Sequence, residues 1–159
     1  MINTELPSYW VVESSNGPSK DQHCRRTIAD NATIQSDFIG ASIQDCQKWA
    51  LEKQSQDKAV EQDIFVIADE RSTRDDTIMV TYYAQTAWDF GGPERVPKES
   101  NKWYDFRVPY TEAETVKVAM HYVNPDVCYP IFFGRKEEMT DEHGVFNTTK
   151  AFELAGKGG

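Results

Sequence analysis

Long apolar runs are missing from this chain. The longest, Ile64 to Ala68, falls far short of the roughly 20 residues that a bilayer-spanning helix needs, so no membrane association is expected. Cysteine is scarce: Cys24, Cys46 and Cys128 are the only three, and no two form a Cys-x-x-Cys pair. That excludes a disulfide framework and a structural zinc site, and points to free thiols. His23, His121 and His143 make no ligand pair at helical spacing, so no metal is expected. Positive charge is also short, with 17 Lys plus Arg against 26 Asp plus Glu, a formal net charge of −9. Such a chain repels polyphosphate, and no nucleic-acid partner is expected. None of the nine glycines belongs to a dinucleotide or phosphate loop or to a Gly-x-Ser-x-Gly elbow, and His-Glu-x-x-His is absent. No cofactor is expected. Met1 to Trp10 offers neither a basic segment nor an apolar one, which makes the expected location cytoplasmic. The sequons at Asn31 and Asn147 are read as chance occurrences.

What is present is enough for a core. Of the 159 residues, 39% are hydrophobic and 12% aromatic, which suits one folded domain over residues 1–150 with a flexible tail over 151–159. Tyr9-Trp-Val-Val12 reads as an opening strand closed by the turn formers Ser14 to Pro18. Ser42 and Asp45 mark the start of a helix from Ile43 to about Gln56, with Ile43, Cys46, Trp49 and Ala50 on one stripe. Asp63 to Asp69 and Thr77 to Ala84 are β-favouring runs. The link between them is too short for a crossover helix, so they form an antiparallel pair. Lys102 to Val108 alternates as a strand, with Trp103, Asp105 and Arg107 on one face and Tyr104, Phe106 and Val108 on the other. Thr111 to Glu114 has the form of a capping box. Ala113, Val116, Ala119, Met120 and Val123 then recur at helical spacing, and Asn124-Pro125 ends that helix. Cys128 to Phe133 reads as a last, edge strand. The expected architecture is α+β: two layers, with a mainly antiparallel sheet of four to five strands and two principal helices.

Part of this pattern resembles an uncharacterised family of small bacterial and fungal domains, a domain of unknown function. The resemblance is carried by Asp37-Phe-Ile-Gly-Ala-Ser42 before a helix, and by Ile64 to Asp69 with Thr73 and Asp75 to Val80 following. Phe106-Arg-Val-Pro109 before a second helix completes it. It covers about half the chain and departs at the aromatic insertion Ala87 to Pro97. It supports the fold and implies no role for any residue.

Chemistry is sought where carboxylates and guanidinia stand among aromatics. The loop Trp88-Asp-Phe-Gly-Gly-Pro-Glu-Arg95 and the following Trp103-Tyr-Asp-Phe-Arg107 have the make-up of a small-molecule pocket. Asp89, between two aromatic rings, is a candidate acid or base. His121 brings an imidazole, a side chain suited to acid or base work, and Asp69 ends an apolar strand; both are further catalytic candidates. Trp88, Trp103, Tyr104 and Tyr82 would line the site, and Arg95 or Arg107 would hold an anionic oxygen. These residues point to a cofactor-independent enzyme or binding protein for an aromatic or polyketide-like molecule, acting by proton transfer as an isomerase, cyclase or lyase would. The alternative is an acidic interaction module, an inhibitor or immunity-type protein, whose partner is a basic protein.

Overall fold

The computed structural model describes residues 14–16, 33, 35–56, 63–86 and 99–156. The chain divides into two units, Met1–Gln62 and Asp63–Gly159.

In the first unit, helix α1 spans Ile43–Gln54 and opens on a full capping box. The Ser42 hydroxyl accepts from the Asp45 N–H, and the Asp45 carboxylate accepts from the Ser42 N–H. Both orphan donors of the first turn are thus satisfied where the Ser-x-x-Asp spacing places them. Cys46, Gln47 and Ala50 are buried. Just before α1, Asp37 accepts from the Ser15 N–H and hydroxyl, the Trp49 indole donates to the Ser15 carbonyl at 2.7 Å, and Phe38 meets Trp49 edge-on. The opening strand expected at Tyr9 to Val12 lies outside the described residues.

The second unit holds the sheet. Strand β1 (Ile64–Ile67) is joined by the short helix α2 (Ser72–Asp75) to β2 (Thr77–Ala84), and β3 (Lys102–Pro109) completes an antiparallel order β1-β2-β3. Asp76 takes the left-handed conformation, φ 54°, to turn the chain into β2, a conformation that Asp tolerates better than most residues. The α+β class and the antiparallel pairing agree with the sequence reading. The strand number does not: among the described residues the sheet has three strands rather than four to five. One end of this difference is Cys128 to Phe133, which is helical.

Beyond β3 a 3-10 turn (Tyr110–Glu112) leads into α3 (Ala113–Tyr122). The expected capping box at Thr111 does not form, because the 3-10 turn delays the helix until Ala113 and leaves Glu112 at the cap position without a side-chain bond. α4 (Pro125–Tyr129) starts where α3 stops. Asn124 accepts from the Asp126 N–H and Pro125 occupies the first helical position, where its missing donor costs nothing. α4 runs into a π-helical turn (Pro130–Gly134), followed by α5 (Lys136–Met139) and α6 (Thr148–Gly156). α6 carries Ala151 and Ala155 in buried positions and runs through Gly156.

One sheet face carries Val80, Phe106 and Val108 into a core shared with Val116, Phe132 and Phe146. Phe106, Phe132 and Phe146 meet with ring centroids 5.2 to 6.2 Å apart, and Phe152 of α6 adds an edge-on contact to Phe132. The outer edge of β3 is closed: the Phe146 N–H donates to the Arg107 carbonyl at 2.7 Å, and the Lys136 ammonium, seated over the Phe106 ring, donates to the Asp105 carbonyl.

Two outcomes follow. Phe132→Ala, which empties the centre of the aromatic core, should lower unfolding free energy by about 3–5 kcal/mol. Thr148, 2% exposed, keeps a buried hydroxyl with no hydrogen-bond partner among the described residues. Thr148→Val should therefore raise stability by about 1 kcal/mol. Urea midpoints of the two variants check both signs.

Candidate functional site

The register across the sheet decides which candidate residues meet. Ile67 lies opposite Met79, and Met79 opposite Arg107. Two residues beyond Ile67, Asp69 reaches the level of Thr77 on the face that carries Arg107. The guanidinium of Arg107 grips both carboxylate oxygens of Asp69 and donates to the Thr77 hydroxyl at 3.1 Å. Asp69 also accepts the N–H and hydroxyl of Ser72, each at 3.0 Å. The Arg107 side chain is 7% exposed and that of Asp69 32%, so the pair is largely withdrawn from water.

From Thr77 the network continues outward. The Thr77 hydroxyl and N–H both donate to Asp75, Arg71 donates to the other Asp75 oxygen at 2.6 Å, and its second arm reaches the His143 carbonyl at 2.8 Å. Asp141 holds that loop by accepting the N–H groups of His143 and Val145. The end of β1, α2, the start of β2, the middle of β3 and the 141–145 turn are thereby tied to one chain of polar contacts.

Two sequence candidates, Asp69 and Arg107, are thus together but satisfy each other. Burial pushes the Asp69 carboxyl up, yet the bonds from Arg107 and Ser72 outweigh it and hold the group below its ordinary 3.8. A carboxylate so stabilised is a weak base, and a guanidinium so engaged has its fork occupied. Asp75, bonded by Thr77 and Arg71, is lowered to about 2.

The aromatic candidates separate. Trp103 meets Phe65 and Tyr83, at 5.2 and 5.0 Å between centroids, on the Arg107 face. Tyr104 and Tyr82 lie on the core face, where Phe133 contacts both, together with Phe106 and Tyr129. Trp103 and Tyr104, both expected to line the site, lie on opposite faces of β3, as neighbours along a strand do. The Tyr82 and Tyr129 hydroxyls share a buried hydrogen bond of 2.8 Å. Burial raises both phenols and pushes the adjacent Cys128 thiol up to about 12, so all three stay protonated at neutral pH. Tyr129 and Phe133 escaped the sequence reading because their segment looked like a strand; the spacing of Cys128, Tyr129, Phe132 and Phe133 is the helical signal that could have shown them.

His121 stands exposed near the end of α3, beside Tyr122, and Glu114 pairs with Lys117 at 3.6 Å one turn before it. Trp88, Asp89 and Arg95 lie outside the described residues. Among the described residues, no three His, Cys, Asp or Glu side chains group as metal ligands, and no helix is long and apolar enough to cross a membrane.

The pair makes an asymmetric prediction. Asp69→Ala strands a buried cation, whereas Arg107→Met removes the cation and leaves Asp69 with Ser72 and water. Asp69→Ala should cost about 3 kcal/mol or more in urea unfolding and Arg107→Met clearly less. Acid should act on the same network. Because folding lowers Asp69 and Asp75 below 3.8, their contribution is complete above about pH 5 and is lost as pH falls through each group's lowered folded value, about 2 for Asp75. Unfolding midpoints measured from pH 6 to pH 2 check this, and the loss should be blunted in Asp75→Asn.

Comparison with protein-family models, curated proteins and solved structures finds no match to this chain, so its function is argued from its own residues.

Proposed function

We propose that this chain is an acidic protein-interaction module whose partner is a basic protein. The observation that supports this most is where its charge is committed. Two pairs of described interior groups able to move protons, Asp69 with Arg107 and Tyr82 with Tyr129, are engaged with each other. The chain as a whole carries a formal net charge of −9. A field of that sign steers a cationic partner into encounter and repels anionic competitors.

The reading is tested with cytochrome c as a basic probe and α-lactalbumin as an acidic control, in stopped-flow association experiments on the full chain. A saturable complex with the basic probe is expected, its association rate falling steeply between about 20 and about 200 mM salt. Absent or salt-insensitive association would overturn it.

A second reading, cofactor-independent proton transfer on an aromatic or polyketide-like molecule, is favoured by one observation. Phe65, Tyr83 and Trp103 gather at the strand ends from which the segment bearing Trp88, Asp89 and Arg95 departs. It predicts that a phenolic or aromatic-acid ligand at about 100 times its Kd stabilises the chain by about 2.7 kcal/mol. Trp103→Ala should abolish that shift, and Asp89→Asn should abolish turnover without lowering Tm. A ligand panel in thermal-shift format decides it; no stabilising ligand, or a shift unchanged in Trp103→Ala, removes the reading.

A further inference from the structure

An asparagine followed by glycine carries its own chemistry. The backbone nitrogen of the next residue can attack the side-chain carbonyl, and glycine sets no Cβ beside that nitrogen to hinder it. The chain has six asparagines, at positions 3, 16, 31, 101, 124 and 147, and Asn16 is the one with glycine after it.

The structure sorts the asparagines it describes. Asn147 opens α6, and its carboxamide oxygen accepts the Lys150 N–H at 2.8 Å. Asn124 caps α4 by accepting the Asp126 N–H at 3.0 Å, and Pro125, which follows it, has no backbone N–H to attack with. Asn101, before β3, accepts the Tyr83 hydroxyl at 3.4 Å and is followed by Lys102. Each of these three carboxamides is held by a bond. Asn16 lies exposed in a turn, with its backbone N–H on the Ser14 hydroxyl at 3.2 Å and its carboxamide bonded to none of the described residues. Its neighbour Ser15 fastens the turn from the other side, donating its N–H and hydroxyl to Asp37 and accepting the Trp49 indole N–H.

We propose that Asn16 is a site of spontaneous covalent modification, at which the side-chain amide becomes an acid by way of a cyclic imide. The Gly17 nitrogen bonds to the side-chain carbonyl carbon of Asn16. The bond from that carbon to the side-chain nitrogen breaks, and this nitrogen leaves as ammonia together with the proton from Gly17. Water then opens the imide at either carbonyl. One opening gives aspartate and the other gives isoaspartate, in which the backbone runs through the side-chain carbon. Either product adds a negative charge to a chain of net charge −9 and places it directly after Ser15, which holds the Asp37 carboxylate.

The test incubates the full chain in neutral buffer and maps the mass gain of amide-to-acid conversion onto its peptides over time, beside the same chain unfolded in urea. In the folded chain Asn16 should convert at least about tenfold faster than Asn101, Asn124 or Asn147, and within about twofold of its own unfolded rate, since nothing holds its carboxamide. The rate should rise with pH, and both aspartate and isoaspartate should form. Gly17→Ala should slow the conversion at least about tenfold by placing a Cβ beside the attacking nitrogen, and Asn16→Gln should abolish it. A folded-chain rate about tenfold or more below the unfolded one would show that the turn protects Asn16 and would overturn the proposal. A mass gain that maps first to another asparagine, or one that is unchanged in Gly17→Ala, overturns it as well.

Discussion

A guanidinium placed in a sheet must be answered or the sheet does not form around it, and Arg107 is answered by Asp69. The side chain is almost wholly withdrawn from water, where an unpaired cation is costly enough to unfold a small domain. Its carboxylate partner comes from the end of another strand, its hydroxyl partner from a third. Meeting these demands fixes where β1 must stop, how α2 must turn, and at what level β2 must begin. Asp69 keeps its position through Ser72, which both donates to the carboxylate and accepts the Asp69 N–H. The turn is therefore a consequence of the ion pair as much as of local turn chemistry.

The same pair explains why a charged residue sits in a strand beside Phe106 and Val108. Alternation puts Arg107 on one face while its neighbours enter the aromatic core on the other. The two faces of β3 do different work: Phe106 joins the cluster of Phe132, Phe133 and Phe146, and Arg107 locks strand ends together. The strand's free edge is protected separately, by the Phe146 amide and the Lys136 ammonium. Burial lowers the Lys136 pKa, and the Phe106 ring and the Asp105 carbonyl compensate the buried charge. With these two carbonyls taken, the middle of the edge is a poorer template for strand addition.

What was readable in the sequence is what local rules decide. β2 follows from a β-favouring run and β3 from alternation, the antiparallel pair from a link too short for a crossover, and the start of α1 from Ser42 and Asp45. Cys128 to Phe133 was misread because Tyr, Ile and Phe favour strands, while Asn124-Pro125, taken only as the stop of α3, is also the cap and first residue of α4. The last helix was hidden by its glycine-rich end, although Thr148, Ala151 and Ala155 repeat at helical spacing. Of the site, Asp69 and Arg107 could both be singled out from their chemistry. Their pairing across 38 residues could not, because it depends on a register that sequence spacing alone does not supply.

These features bear on how a partner can approach. Strand addition along the outer edge of β3 is disfavoured by Lys136 and Phe146, and the core face of the sheet is filled by aromatic rings. On α3 the packing demand is met by four small or flexible side chains, Ala113, Val116, Ala119 and Met120, which bring the helix axis close to the sheet.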